Sequence, residues 1–306
     1  MEDRLQPTLR FLQYALLMGL FGWAGFRVVG LRTTTWLAAD SGRTTAIVAA
    51  GFAPIISAGL MLASIAAMMG QPLTKLDWPM IEAMTLSTDL GWAFMARTAL
   101  LVAGLVAVII GRRPGSSIAA LCFAAALLTL GWSGHAAATE GALGWVHRLG
   151  NGMHLLAAAL WLGAIGWFVY LTVIAHRDPE HLSALPLLTV MHRFAPLGVA
   201  LVAIVSVTGL LNAQLIFGLE NGVATLTTSY GLLLAAKIVI VGGMLASGAH
   251  NAWISRRSVA VGEIAGVDQG MALSILRRSL AFEMMLGIIV IGLVAVLGML
   301  SPMAME

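Results

Sequence analysis

Residues 153–175 read MHLLAAALWLGAIGWFVYLTVIA, 23 positions without one Asp, Glu, Lys or Arg. A helix needs about 20 mainly apolar residues to cross the hydrocarbon core, so this stretch alone can span a bilayer. It is too long and continuous for a barrel strand. Working outward, seven further runs of the same kind occupy 8–29, 46–69, 90–110, 117–133, 194–217, 227–250 and 279–300. The sequence therefore predicts an all-α, polytopic integral membrane protein, a bundle of eight transmembrane helices forming a single membrane domain over residues 1–306.

Composition agrees. Hydrophobic residues are 59% of the chain and charged residues 10%, against about a quarter charged in soluble domains. Mean hydropathy is +0.93. The 34 glycines suit close helix approach in lipid. The single cysteine, Cys122, excludes an intramolecular disulfide and any Cys-pair metal motif and reads as a small core residue. No nucleic-acid-binding motif and no nucleotide-binding P-loop is present, and no enzymatic activity is expected. The first apolar run follows MEDRLQPTLR without a small-residue cleavage site and is expected to be a retained helix.

The cations set the expected orientation. Connections 1–2, 3–4, 5–6 and 7–8 carry Arg27, Arg32, Arg43, Arg112, Arg113, Arg177, Arg193, Arg256, Arg257, Arg277 and Arg278, 11 in all, against 4 (Arg4, Arg10, Lys75, Arg148) on the other side. By the positive-inside rule the arginine-rich side is cytoplasmic and both termini face outward. In the loop QPLTKLDWPMIEAMTLSTD a short interfacial helix is expected from Pro79, with Trp78 and Trp92 as interface anchors.

Just upstream of the 153–175 run, GWSGHAAATEGALGWVHRLGNGM places His135 and His147 at the outward membrane edge, with His154 and Met153 inside the run. On a helix starting near Trp145, His147, Asn151 and His154 fall at i, i+4 and i+7, on one face. Imidazoles with a thioether suit copper, the sulfur favouring Cu(I) over Cu(II). Glu140 keeps zinc open. The alternative is that the rings only hydrogen-bond loop backbone. Further outward methionines, Met68, Met69, Met80, Met84, Met299, Met303 and Met305, are either packing material or weaker copper ligands. His192 and His250 are expected at cytoplasmic helix ends, as an exit site or as helix caps, and His176 and His181 in a solvated loop. Pro196 is expected in the first turns of the sixth helix. Arg97, Lys237 and Glu283 interrupt apolar runs and need partners, either to lock the bundle or to serve transport.

Several of these segments together resemble the copper resistance protein D (CopD) family. They are GHAAA at 134–138, H-x3-N-x2-HLLAAALWLGA over 147–164, RFAPLG at 193–198, TGLLNA at 208–213, TTSYGLLLAAK at 227–237, HN at 250–251 and RRSLAFEMMLG at 277–287. The resemblance implies a bacterial inner-membrane protein that takes copper across the membrane, often with a soluble periplasmic copper-binding partner of the CopC type. It favours His135, His147 and His154 as the outer site, with Asn151 and Trp161 as neighbours. Where relatives often carry an acidic residue on the histidine helix, this chain has Asn151. Two other readings stand beside copper import. One is a haem-binding electron-transfer protein using His154 with His135, or His192 with His250. The other is a copper-binding sensor that does not transport.

Overall fold

Inside hydrocarbon a backbone amide has no water to bond, so each segment must satisfy its own N–H and C=O groups. The computed structural model describes residues 2–31, 42–111, 113–178, 184–262 and 269–301, and among them there is no strand. The helices are α1 (Glu2–Val29), α2 (Arg43–Met68), α3 (Trp78–Ser87), α4 (Asp89–Ile110), α5 (Arg113–Leu128), α6 (Gly141–Arg177), α7 (Ala184–Phe217), α8 (Gly222–Thr225), α9 (Ser229–Gly262) and α10 (Gln269–Leu297). Seven of them, α1, α2, α4, α6, α7, α9 and α10, are long and apolar enough to cross a membrane. The eighth expected span is shorter: α5 continues through a 3-10 turn, Thr129–Trp132, as an apolar stretch. Arg32, Arg112, His181, Met303 and Met305 lie outside the described residues.

Four helices outrun their apolar segments. α6 begins at Gly141 instead of 153, α7 at Ala184 instead of 194, and α10 at Gln269 instead of 279, while α9 continues to Gly262 instead of 250. Hydropathy marks where a helix lies in lipid, not where its hydrogen bonding stops. His192 and His250 are accordingly not at helix ends: both sit within α7 and α9. Pro196 is likewise interior to α7, where its ring withholds one backbone donor from the carbonyl of His192.

The interfacial helix expected from Pro79 is α3. Asp77 caps it by accepting from the Met80 amide at 3.0 Å, and Trp78 and Trp92 are both largely exposed at its flanks. Thr88 then caps α4, its Oγ1 accepting from the Gly91 amide at 3.0 Å. Thr88→Ala is expected to cost about 1 kcal/mol, read as a lower melting temperature in detergent with the folded form retained.

Among the described residues two large hydrophobic cores form, beside a small cluster of Phe217, Tyr230 and Leu297. One gathers α1, α2, α4 and α5 around Leu17, Leu101, Phe123 and Leu127. The other gathers α6, α7, α9 and α10 around Trp161, Leu187, Leu276 and Leu280. α1 and α6 belong to both: Leu155 and Ala159 pack into the first core and Phe26 into the second. Between them Gly22 and Gly163 meet backbone to backbone. A Cβ added at Gly22 would lie 2.5 Å from the Ala159 carbonyl oxygen and 2.9 Å from Gly163 Cα.

Buried polar groups tie the first half together. Arg97 on α4, 5% exposed, donates from Nε to Thr129 Oγ1 at 2.8 Å and from a terminal nitrogen to the Thr129 carbonyl at 3.3 Å, where α5 tightens into its 3-10 turn. Gln13 of α1 donates to Ser57 of α2 at 3.0 Å. At the arginine-rich end, Arg43 donates to the carbonyls of Val108 and Ile109, which α4 leaves unbonded at its C-terminus.

Candidate metal site

Gly134, with φ of 70°, turns the chain after α5 into a short 3-10 segment, Gly134–Ala138, that carries His135. Its Nε2 lies 3.2 Å from the carbonyl oxygen of Leu297 at the end of α10. The ring meets Tyr230 edge to face, centroids 5.7 Å apart. A carbonyl only accepts, so Nε2 carries the proton and Nδ1 keeps its lone pair.

His147 lies near the start of α6 and is 2% exposed. Its Nδ1 is 2.8 Å from Thr139 Oγ1, in the segment that leads into the helix. His135 and His147 are close enough to interact electrostatically. The helix runs unbroken through Gly150 and Gly152, so the expected i, i+4, i+7 face exists. Those glycines have a packing reason: a Cβ would lie 2.9 Å from the Leu211 side chain at Gly150 and 2.6 Å from that of Leu128 at Gly152. They let α7 and α5 close around the histidines.

His154, two turns deeper, presses against α7. Its Nδ1 is 3.1 Å from the Val205 carbonyl oxygen and 3.1 Å from Thr208 Oγ1. Thr208 gives its only hydroxyl proton to backbone, chiefly Ile204, so it accepts from the ring. Nδ1–H is therefore shared between two acceptors and the Nε2 lone pair is left available. Gly209 lies beside the ring, where a Cβ would make an ordinary contact 3.5 Å from His154 Cε1. Lys237 of α9 is within electrostatic reach. In all three rings the opposite nitrogen makes no hydrogen bond among the described residues. A ring held through one nitrogen with the other open is how proteins present imidazole to a metal.

The three rings do not share one coordination sphere. Among the described residues no three His, Cys, Asp or Glu side chains converge on a point, and the seven-residue step from His147 to His154 is a rise of about 10 Å. The arrangement is a pair at the mouth, His135 with His147, and a single deeper ring at His154. Met153 is 44% exposed on the bundle surface, off the His147–His154 face. Met68, Met69 and Met299 are also exposed, whereas Met80 and Met84 are half-buried one turn apart on α3. Glu140 is exposed just before α6. His192 is half-buried, and His250 is exposed and stacked on Trp253 at 6.1 Å.

Asn151 is half-buried on the histidine face. Trp161 continues that stripe seven residues beyond His154 and is 8% exposed. Glu283 of α10, 2% exposed, accepts from Asn251 Nδ2 of α9 at 3.1 Å. The holders of the rings, Thr139, Thr208 and Tyr230, were not singled out from sequence. Thr208 and Tyr230 do fall inside TGLLNA and TTSYGLLLAAK, so a signal was present.

Residues 1–145 match the family described as Copper resistance protein D-like, N-terminal domain, and residues 188–297 match the one described as Copper resistance protein D. The chain is 32% identical to Copper resistance protein D of Pseudomonas syringae pv. tomato, covering 99% of this chain and 98% of that protein. It is 29% identical to Inner membrane protein YebZ of Escherichia coli (strain K12), covering 76% of this chain and 78% of that one. No solved structure matches. Two family matches in sequence order, over 1–145 and 188–297, together with a full-length relative, leave one assignment: the chain belongs to the copper resistance protein D family.

Proposed function

We propose that this copper-resistance membrane protein imports copper across the bacterial inner membrane, as Cu(I) in preference to Cu(II). His135 and His147 capture the ion at the outer mouth and His154 receives it two turns deeper. The observation that carries this reading is the heptad step from His147 to His154 on one face of α6, with each ring held through Nδ1 and open at Nε2. Sites with few ligands bind strongly enough to capture and weakly enough to release, which conduction requires. The positive-inside count supports an outward mouth with both termini on that side. A soluble copper-binding protein of the CopC type, as the family suggests, delivers the ion, and Met80 and Met84 pass it on. The whole chain acts as one membrane domain, because α1 and α6 pack into both cores.

The decisive variant replaces His135, His147 and His154 together by alanine. Anaerobic titration is expected to lose the tight Cu(I) site, and proteoliposome copper uptake is expected to fall to the level of empty vesicles, with the detergent elution profile unchanged. Tight binding that persists in the triple variant sinks the site assignment. Binding that is lost while wild-type protein moves no copper leaves the non-transporting sensor.

A further inference from the structure

A trough of about 570 Å³ runs along α1 between α2, α6 and α10, within the roughly 300–1,000 Å³ of small-ligand pockets. Gly19 of α1 and Gly163 of α6 line it and put no side chain into it, and a Cβ at Gly19 would find nothing within 4 Å. The trough is open sideways, since Gly19 is exposed and Ile288 of α10 is 49% exposed. In a bundle of membrane-spanning helices such an opening faces hydrocarbon, not water.

At one end the lining turns aromatic. Trp167 donates from its indole to the Trp23 carbonyl at 3.1 Å, and Tyr170 meets Trp167 edge to face, centroids 5.9 Å apart. Trp and Tyr gather where hydrocarbon gives way to headgroups. Past them the same helix faces carry cations. Arg27 of α1 stands over the Trp23 ring, 4.9 Å from its centroid. Arg177 is seven residues beyond Tyr170 on α6, and Arg277 is seven residues from Met284, which lines the trough from α10. A seven-residue step keeps the helix face and adds about 10 Å. On α2, Arg43 follows Gly42 of the lining and is already committed to the Val108 and Ile109 carbonyls. The acids described at this end are Asp178, directly after Arg177, and Glu283, which is buried against Asn251.

We propose that this trough holds an anionic phospholipid, with one acyl chain along Gly19 and Gly163 and the phosphate facing Arg27, Arg177 and Arg277. The lining follows the build of that molecule in order: an apolar slot, an aromatic collar and a cationic rim. A neutral apolar guest would be indifferent to the arginines. A second copy of this chain, seated here in the same bilayer orientation, would bring its own arginines against them. The lipid braces the joint between the halves, because Gly163 of its slot packs on Gly22. The site stands apart from the copper path, since His135, His147 and His154 do not line it.

The test is native mass spectrometry of the full chain in mild detergent, with phosphatidylglycerol or phosphatidylethanolamine of identical chains added. Wild type is expected to retain phosphatidylglycerol in preference to phosphatidylethanolamine. Arg27→Gln and Arg277→Gln are each expected to cut that preference about fivefold, the effect of one arginine near an anionic lipid. Gly19→Leu fills the slot where no atom stands in its way, and is expected to lose the lipid while eluting as wild type does. Gly51→Leu is the control: Gly51 also faces open space but lies outside the trough, so that variant keeps the lipid. Equal retention of the two lipids by wild type overturns the proposal whether or not any variant folds. So does phosphatidylglycerol held as firmly by Gly19→Leu as by wild type, a quinone extracted in place of the lipid, or a dimer that carries no lipid.

Discussion

Gly163→Leu is expected to prevent accumulation of the folded protein. Gly22 and Gly163 touch through main chain, and the atoms that a Cβ at Gly163 would meet are the Gly22 backbone carbonyl and Cα. A side-chain neighbour can rotate away; a helix backbone cannot. Overpacking in a yielding core costs about 1–3 kcal/mol, and here relief requires moving α1 away from α6, which disturbs both cores at once. Membrane expression and size-exclusion profile in detergent read the result. Gly51→Ala is the control, since Gly51 faces open space with nothing within 4 Å of its Cβ position. A Gly163→Leu protein as stable as wild type would show that the α1–α6 contact is not the joint between the halves.

The second large effect is expected at Arg97. Its guanidinium is buried and serves Thr129 twice, once at the hydroxyl and once at the carbonyl that α5 exposes as it ends. A cation at a helix C-terminus is favourable in its own right. Hydrogen bonds from a charged donor are each worth about 1.5–3 kcal/mol. Arg97→Leu is therefore expected to lower the detergent melting temperature sharply while leaving Cu(I) affinity at the mouth unchanged. Arg97→Lys, which keeps the charge but not the fork, falls between. Should Arg97→Leu melt like wild type yet stop uptake, the charge serves transport and not the bundle.

The seven long spans and the shorter eighth apolar helix were legible because bilayer thickness leaves a mark on sequence that no context can erase. Their ends were not, because Arg256 and Arg257 read as loop by hydropathy and yet continue α9 in water. The same blind spot placed His192, His250 and Pro196 at helix termini when they are interior. At the site, the spacing of His147 and His154 was readable from α6 alone. What holds them was not: Val205 and Thr208 come from α7, Leu297 from α10, and the pairing of helices is decided by packing between distant segments. Glu283 stood out as an expense in lipid, but its partner Asn251 arrives from another helix. One sequence read in order cannot bring them together.

α6 is 37 residues long, about 55 Å at the rise of an α-helix. It outreaches the hydrocarbon layer, and it is a single unbroken rod. His147, His154, Trp161 and the terminal Arg177 are fixed along it like marks on a ruler. A tilt imposed at one end cannot be absorbed part-way; it reappears at the other end as a swing of the tip. The two ends of α6 are thus mechanically geared, with the flush glycine contact against α1 as the fulcrum.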